Sequence, residues 1–65
     1  MDAKTRKLVR EARRLLAAYT GSTTVVEAMG ISVAVSMARA SFAAHSIQAG
    51  YDRTTVNQVQ AYIFG

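Results

Sequence analysis

Between Leu8 and Tyr19 the apolar side chains fall at Leu8, Val9, Ala12, Leu15, Leu16 and Tyr19. That i, i+1, i+4, i+7, i+8, i+11 spacing lines one side of an α-helix. Asp2 is placed to cap its start and Gly21 to stop its end, so the pattern predicts a first helix over residues 2–19. The stretch from Thr23 to Gly50 contains no Pro, and Gly30 is its only interior Gly. Set out at about 100° per residue it carries two apolar stripes on nearly opposite sides. One holds Val26, Met29, Val33, Met37, Ala40, Ala44 and Ile47; the other holds Ile31, Val35, Ala38 and Phe42. A helix apolar on two sides must be covered on two sides. Thr24 and Glu27 have the spacing of a capping box at its start, and Gly50 suits the left-handed position after its end. Asp52 then caps a third helix, Arg53 to Phe64, with Val56, Val59 and Ile63 at helical spacing. The expectation is an all-α chain of three helices, about 2–19, 23–49 and 53–64, forming a single small domain over 1–65. The short Gly21-Ser22-Thr23 turn pairs the first two as an antiparallel hairpin.

Length makes the middle helix awkward. Unbroken, about 27 residues make a rod of about 40 Å, whereas a compact globule of this chain length has a diameter under ~30 Å. Either the helix breaks at Met29-Gly30-Ile31-Ser32, with Ser32 capping the second segment, or the protein is elongated and self-associates. The second alternative is the one favoured here. Gly30, Ala34, Ala38, Ala40, Ala43 and Ala44 permit close helix approach. The expected subunit contacts are Val26, Met29, Val33, Met37, Ala40, Ala44 and Ile47, with Tyr62 and Phe64 at the apolar C-terminal end.

Composition points the same way. A 65-residue chain has a marginal core unless disulfides, a metal or association supplement it. There is no Cys and a single His, His45, which leaves association; neither metal nor cofactor is expected. The charge is segregated. Lys4, Arg6, Lys7, Arg10, Arg13 and Arg14 stand against Asp2 and Glu11 in the first helix, while Arg39 and Arg53 balance Glu27 and Asp52 in the rest. The whole net charge of +4 therefore lies on the first helix. That face reads as a solvated surface, as phosphate contacts to nucleic acid, or as a contact with an anionic membrane. The helix has no Trp or Phe to wedge into lipid, which disfavours the membrane. Ala28 to Ala49 is long enough for a span, but Arg39 sits near its middle. Leu8-Val9 and Leu15 to Tyr19 are separated by charges, unlike a secretory signal. The expected location is the cytoplasm, or a virion or filament.

Residues for catalysis are sparse. Asp2, Glu11, Glu27 and Asp52 fall on different segments, so nothing pairs them for acid–base work. His45 has Ser41 and Ser46 nearby but no orienting carboxylate at helical spacing, and there is no Gly-rich phosphate loop. The sequence predicts a protein that is not an enzyme.

One segment has a recognisable form. Ala49-Gly50-Tyr51-Asp52-Arg53-Thr54-Thr55-Val56-Asn57-Gln58-Val59 resembles the turn and recognition helix of helix-turn-helix DNA-binding repressors. Gly50 stands at the turn, Tyr51 at the apolar position after it and Asp52 at the N-cap. Val56 and Val59 match the paired anchors, and Ser46 the small residue of the preceding helix. The resemblance covers residues 44–60 and departs from the pattern at His45, usually apolar, and Ile47, usually exposed. It implies that Arg53, Thr54, Thr55, Asn57 and Gln58 meet base edges or phosphates in a major groove. The leading expectation is thus a small nucleic-acid-binding homo-oligomer, regulatory or accessory, of the kind plasmids and viruses encode. The rival is a structural subunit of a filament, coat or shell, in which the central helix and aromatic C-terminus make the subunit contacts. A third reading is a small inhibitor or antitoxin that presents its apolar stripe to another protein.

Overall fold

The computed structural model describes residues 1–65. It is all-helical, with four helices where three were expected: α1 (Ala3–Thr20), α2 (Thr23–Met29), α3 (Ile31–Gln48) and α4 (Arg53–Phe64). The central stretch is not one rod. It breaks at Gly30, whose backbone takes φ 90° and ψ 162°, and α3 turns away from α2 by 117°. The Gly30 N–H closes α2 on the Val26 carbonyl at 2.9 Å, and its own carbonyl opens α3 by accepting from Ala34 at 3.1 Å. Chain compaction decides the matter. With the break, the molecule measures 36 × 18 × 18 Å with a radius of gyration of 11.9 Å, close to the ~11 Å of a compact chain this long. The continuous rod would have exceeded the longest of those dimensions.

Two expected caps are displaced. Ser22 caps α2, its hydroxyl accepting from the Val25 N–H at a long 3.4 Å, so Thr24 lies inside the helix and Glu27 is exposed. The chain is extended only at Ser22 after leaving α1, which shifts the start upstream of the Thr24–Glu27 box. Ser32 caps nothing: Gly30 occupies the N-cap of α3 without a side-chain bond. Other termini form as read. The Asp2 carboxylate accepts from the Thr5 N–H at 2.7 Å and Asp52 from Thr55 at 3.2 Å. At Gly21 a Cβ would lie 2.7 Å from the Ala17 carbonyl oxygen, so only glycine fits the end of α1.

The core is shared by α1, α3 and α4. Leu8, Val9, Ala12 and Leu15 meet Ala38 and Phe42, and Val56 and Val59. Phe42 is fully buried, and its ring lies 5.9 Å from that of Phe64, tilted by 43°, within the range of favourable aromatic pairs. Of the two stripes on the central stretch, the one containing Ala38 and Phe42 turns inward at those two residues, with Val35 half-buried and Ile31 at its start exposed, while Val33, Ala40, Ala44 and Ile47 of the other are exposed and Met37 is half-buried. α2 buries no residue completely. No single helix is long and apolar enough to cross a membrane; α2 and α3 reach that length and hydropathy only together, across their bend.

Candidate nucleic-acid interface

Because the apolar stripe of α1 is committed to the core, the rest of its circumference must face outward. Lys4, Arg6, Lys7, Arg10, Arg13 and Arg14 are all exposed there. Only Arg14 has a carboxylate partner. Its guanidinium grips Glu11 one turn back with two hydrogen bonds, Nε to Oε2 at 3.0 Å and a shorter one from the terminal nitrogen. That bond from Arg14 holds the Glu11 carboxyl below its ordinary range and raises Arg14 in turn. The pair is well exposed, so its contribution to stability is small. The other five cations have no carboxylate within ion-pair distance.

Neighbouring helices divide this face into two flanks. α4 runs alongside α1 in the same direction: Asp2 and Thr5 lie near Asp52 and Thr55 at one end, and Val9 and Arg13 near Tyr62 further along. One flank is therefore a groove of about 350 Å³ in which Arg6, Arg10 and Arg13 face Tyr62. The opposite flank is a larger groove, about 580 Å³, where Lys7, Arg10, Glu11 and Arg14 face His45 on α3 and Tyr51 just beyond it, so Arg10 borders both grooves. Near the N-termini of α1 and α4 the character changes, since Asp2 and Asp52 both line the surface beside Lys4.

The turn between α3 and α4 has the local chemistry read from the sequence. Gly50 takes φ 93°, its N–H donates to the Ile47 carbonyl at 3.0 Å, and the Tyr51 N–H donates to the Ser46 carbonyl at 3.1 Å. This pair of bonds is a Schellman motif. Ser46, Val56 and Val59 are buried and Tyr51 is half-buried. Arg53, Thr54, Asn57 and Gln58 are exposed, while Thr55 is half-buried with its hydroxyl 3.5 Å from Asp52. The angle between the helices is another matter. Gln60 donates its amide to the Arg39 carbonyl at 3.4 Å, and these residues lie on either side of Gly50 at similar distances along the chain. In a helix-turn-helix elbow of about 90–120°, points ten residues out on each arm would stand more than ~20 Å apart. α3 and α4 therefore fold back along one another as an antiparallel hairpin.

The residues expected to mediate self-association divide. Met29, Val33, Ala40, Ala44 and Ile47 are exposed, and Val26 and Met37 half-buried. From Val33 to Ile47 the steps alternate four and three, the seam spacing of paired helices. Phe64 is engaged within its own chain against Phe42. Tyr62 is exposed, but beside α1 and not on the α3 stripe. Sequence reasoning missed the proximity of Tyr62 to the arginines, because no local pattern relates residues so far apart. The Glu11–Arg14 pair did have a signal in its i, i+3 spacing. The four carboxylates stay apart in role: Asp2 and Asp52 cap helices, Glu11 pairs with Arg14, and Glu27 is exposed. No three side chains of His, Asp or Glu converge. The chain matches no protein-family model, no curated protein and no solved structure.

Proposed function

We propose that this chain is a non-enzymatic helical protein that binds nucleic acid through α1 and works as an oligomer. The observation carrying the first part is the set of five cations, Lys4, Arg6, Lys7, Arg10 and Arg13, on one outward face without carboxylate partners. The rest of the chain is electrically neutral, so the field points from this face alone. Such a surface attracts the phosphate backbone whatever the base sequence. Arg53, Thr54, Thr55, Asn57 and Gln58 have a lesser place in this reading. They start beside a surface lined by Asp52 and by Asp2 of the neighbouring α1 N-terminus, and those carboxylates oppose an incoming phosphate.

Oligomer formation is supported by the outward stripe of α3. Half the sequence is apolar, 51%, yet the buried apolar residues number nine. The accessible surface of 4341 Å² also exceeds the roughly 4,000 Å² usual for a monomer of this mass. Val33, Met37, Ala40, Ala44 and Ile47 form an uncharged strip that a second copy can cover. The same strip supports the second reading, a structural subunit of a filament, coat or shell. Light scattering without nucleic acid separates them: a discrete species favours the binding protein, and open-ended growth favours the lattice. A heteromeric complex formed in preference to either would favour an inhibitor or antitoxin.

The test of binding is fluorescence anisotropy with mixed-sequence duplex over a salt series. Five phosphate contacts give a slope of log K against log salt of about −4.5, hence a loss of about 500-fold between 50 and 200 mM. Each of Arg6→Gln, Arg10→Gln and Arg13→Gln reduces that slope by about 1. If neither duplex nor single strand binds at 50 mM salt, the proposal is refuted.

A further inference from the structure

The grooves around α1 differ in one respect that matters chemically. The groove toward α3 contains Glu11, and the one at the helix N-termini contains Asp2 and Asp52. The groove toward α4 contains no carboxylate: its charged side chains are Arg6, Arg10 and Arg13, Met1 with its terminal amine also lines it, and its far wall is Tyr62. Tyr62 is 66% exposed, although Val59 and Ile63 on the same helix are drawn into or against the core. Its ring is therefore displayed, beside cations that no anion of the protein neutralises.

We propose that this groove is a binding site for single-stranded nucleic acid, with an unpaired base stacked on Tyr62 and the adjoining phosphates on Arg6, Arg10 and Arg13. The inference rests on the nucleic-acid reading above and deepens it by naming the form of the ligand. Arg6, Arg10 and Arg13 follow at i, i+4 and i+7, so they form a row about 10 Å long down one side of α1. A row of cations beside an aromatic face is what a flexible strand needs, since its bases are free to leave the backbone track and stack. In a duplex the base faces are already stacked on one another. The ring of Tyr62, set in a groove, has no base face to meet there, and duplex is left with the phosphate contacts along α1 and no stack on Tyr62.

The experiment compares wild type, Tyr62→Ala and Tyr62→Phe by anisotropy in low salt. The probes are an oligothymidylate, an oligouridylate, an abasic strand of equal length and a mixed-sequence duplex. Tyr62→Ala weakens binding of the two base-bearing strands by about 5- to 150-fold, the range of one lost stack, while Tyr62→Phe retains it. The abasic strand and the duplex bind wild type and Tyr62→Ala within twofold of each other. Because the protein has no Trp, a Tyr19→Phe, Tyr51→Phe background leaves Tyr62 as its only indole or phenol fluorophore, and thymidylate quenches it. Equal binding of wild type and Tyr62→Ala to the base-bearing strands overturns the site while leaving α1 as a phosphate surface. A shift in oligomer mass on Tyr62→Ala also overturns it, by making Tyr62 a subunit contact. Failure of every probe to bind overturns both this inference and the proposal beneath it. The preference between thymidylate and uridylate assigns the strand to DNA or RNA.

Discussion

Replacing Gly30 by alanine tests the account of the fold at its most specific point. At φ 90° and ψ 162° an L-residue is in a region used almost only by glycine, at a cost of about 1–3 kcal/mol. A Cβ placed there meets no atom within 4 Å, so no steric clash with a neighbour contributes and the whole effect lies in the backbone. For a domain of this size each kcal/mol lowers the melting temperature by about 4–8 °C. Gly30→Ala is therefore expected to melt about 5–20 °C below the wild type in a far-ultraviolet circular dichroism scan. The alternative escape, straightening α2 into α3, would make a rod of about 39 Å and show as raised helical signal and a larger hydrodynamic radius. Chemical synthesis offers a sharper comparison at this length. D-Alanine at position 30 favours positive φ, since its allowed map is the mirror image. It should restore or exceed wild-type stability, because it also restricts the unfolded chain. An L-alanine variant that melts at or above wild type with unchanged helical signal and radius would refute the reasoning.

Two further predictions concern the surface. Val33→Asp places a charge at the N-terminal end of the exposed α3 strip but outside the core, so sedimentation should show the oligomer reduced to monomer and the melting temperature should fall only by the stability that association supplied; retention of the oligomer would remove α3 from the interface. The pH dependence follows from Asp2 and Glu11. The Thr5 backbone N–H lowers the first and the Arg14 hydrogen bond lowers the second. Carboxyls depressed in the folded state contribute stability above their ordinary range and lose it as pH falls from that range through their lowered folded-state values. Melting temperature should be level from neutral to weakly acidic pH and decline below it, and Asp2→Asn should flatten part of the decline.

Much of this molecule was legible in its sequence where a single stripe or a cap left no choice. α1 has one apolar side, so its core residues and its basic face follow together. Gly50, Asp52, Val56 and Val59 dictate the local turn chemistry because each has a specific geometric task. The central stretch was ambiguous for a physical reason. Its two stripes are similarly apolar, and a lone glycine disfavours helix by only about 1 kcal/mol, too little to announce a break. The tertiary fit resolves both questions. Breaking at Gly30 leaves α3 with 18 residues, equal to the 18 of α1, and turns Phe42 into the space between α1 and α4. At the site, the cations were visible in sequence but their neighbours were not. Tyr62 reaches Arg6 and Arg13 only because α4 folds back along α3 and lies beside α1. The same closure separates this hairpin from the open elbow that its turn residues resemble.

α2 gives the molecule uneven endurance. Seven residues are too few to persist as an isolated helix in water, and this one has no fully buried side chain to anchor it. Its opening is thus independent of the main body, in the way that weakly packed segments open ahead of global unfolding. Amide protons between Thr23 and Met29 should exchange with solvent far sooner than those around Ala38 and Phe42. Fully drawn out, the segment spans about 23–25 Å against about 10 Å when coiled. It is a length of slack between two glycines, able to absorb strain between α1 and α3 before the core feels it.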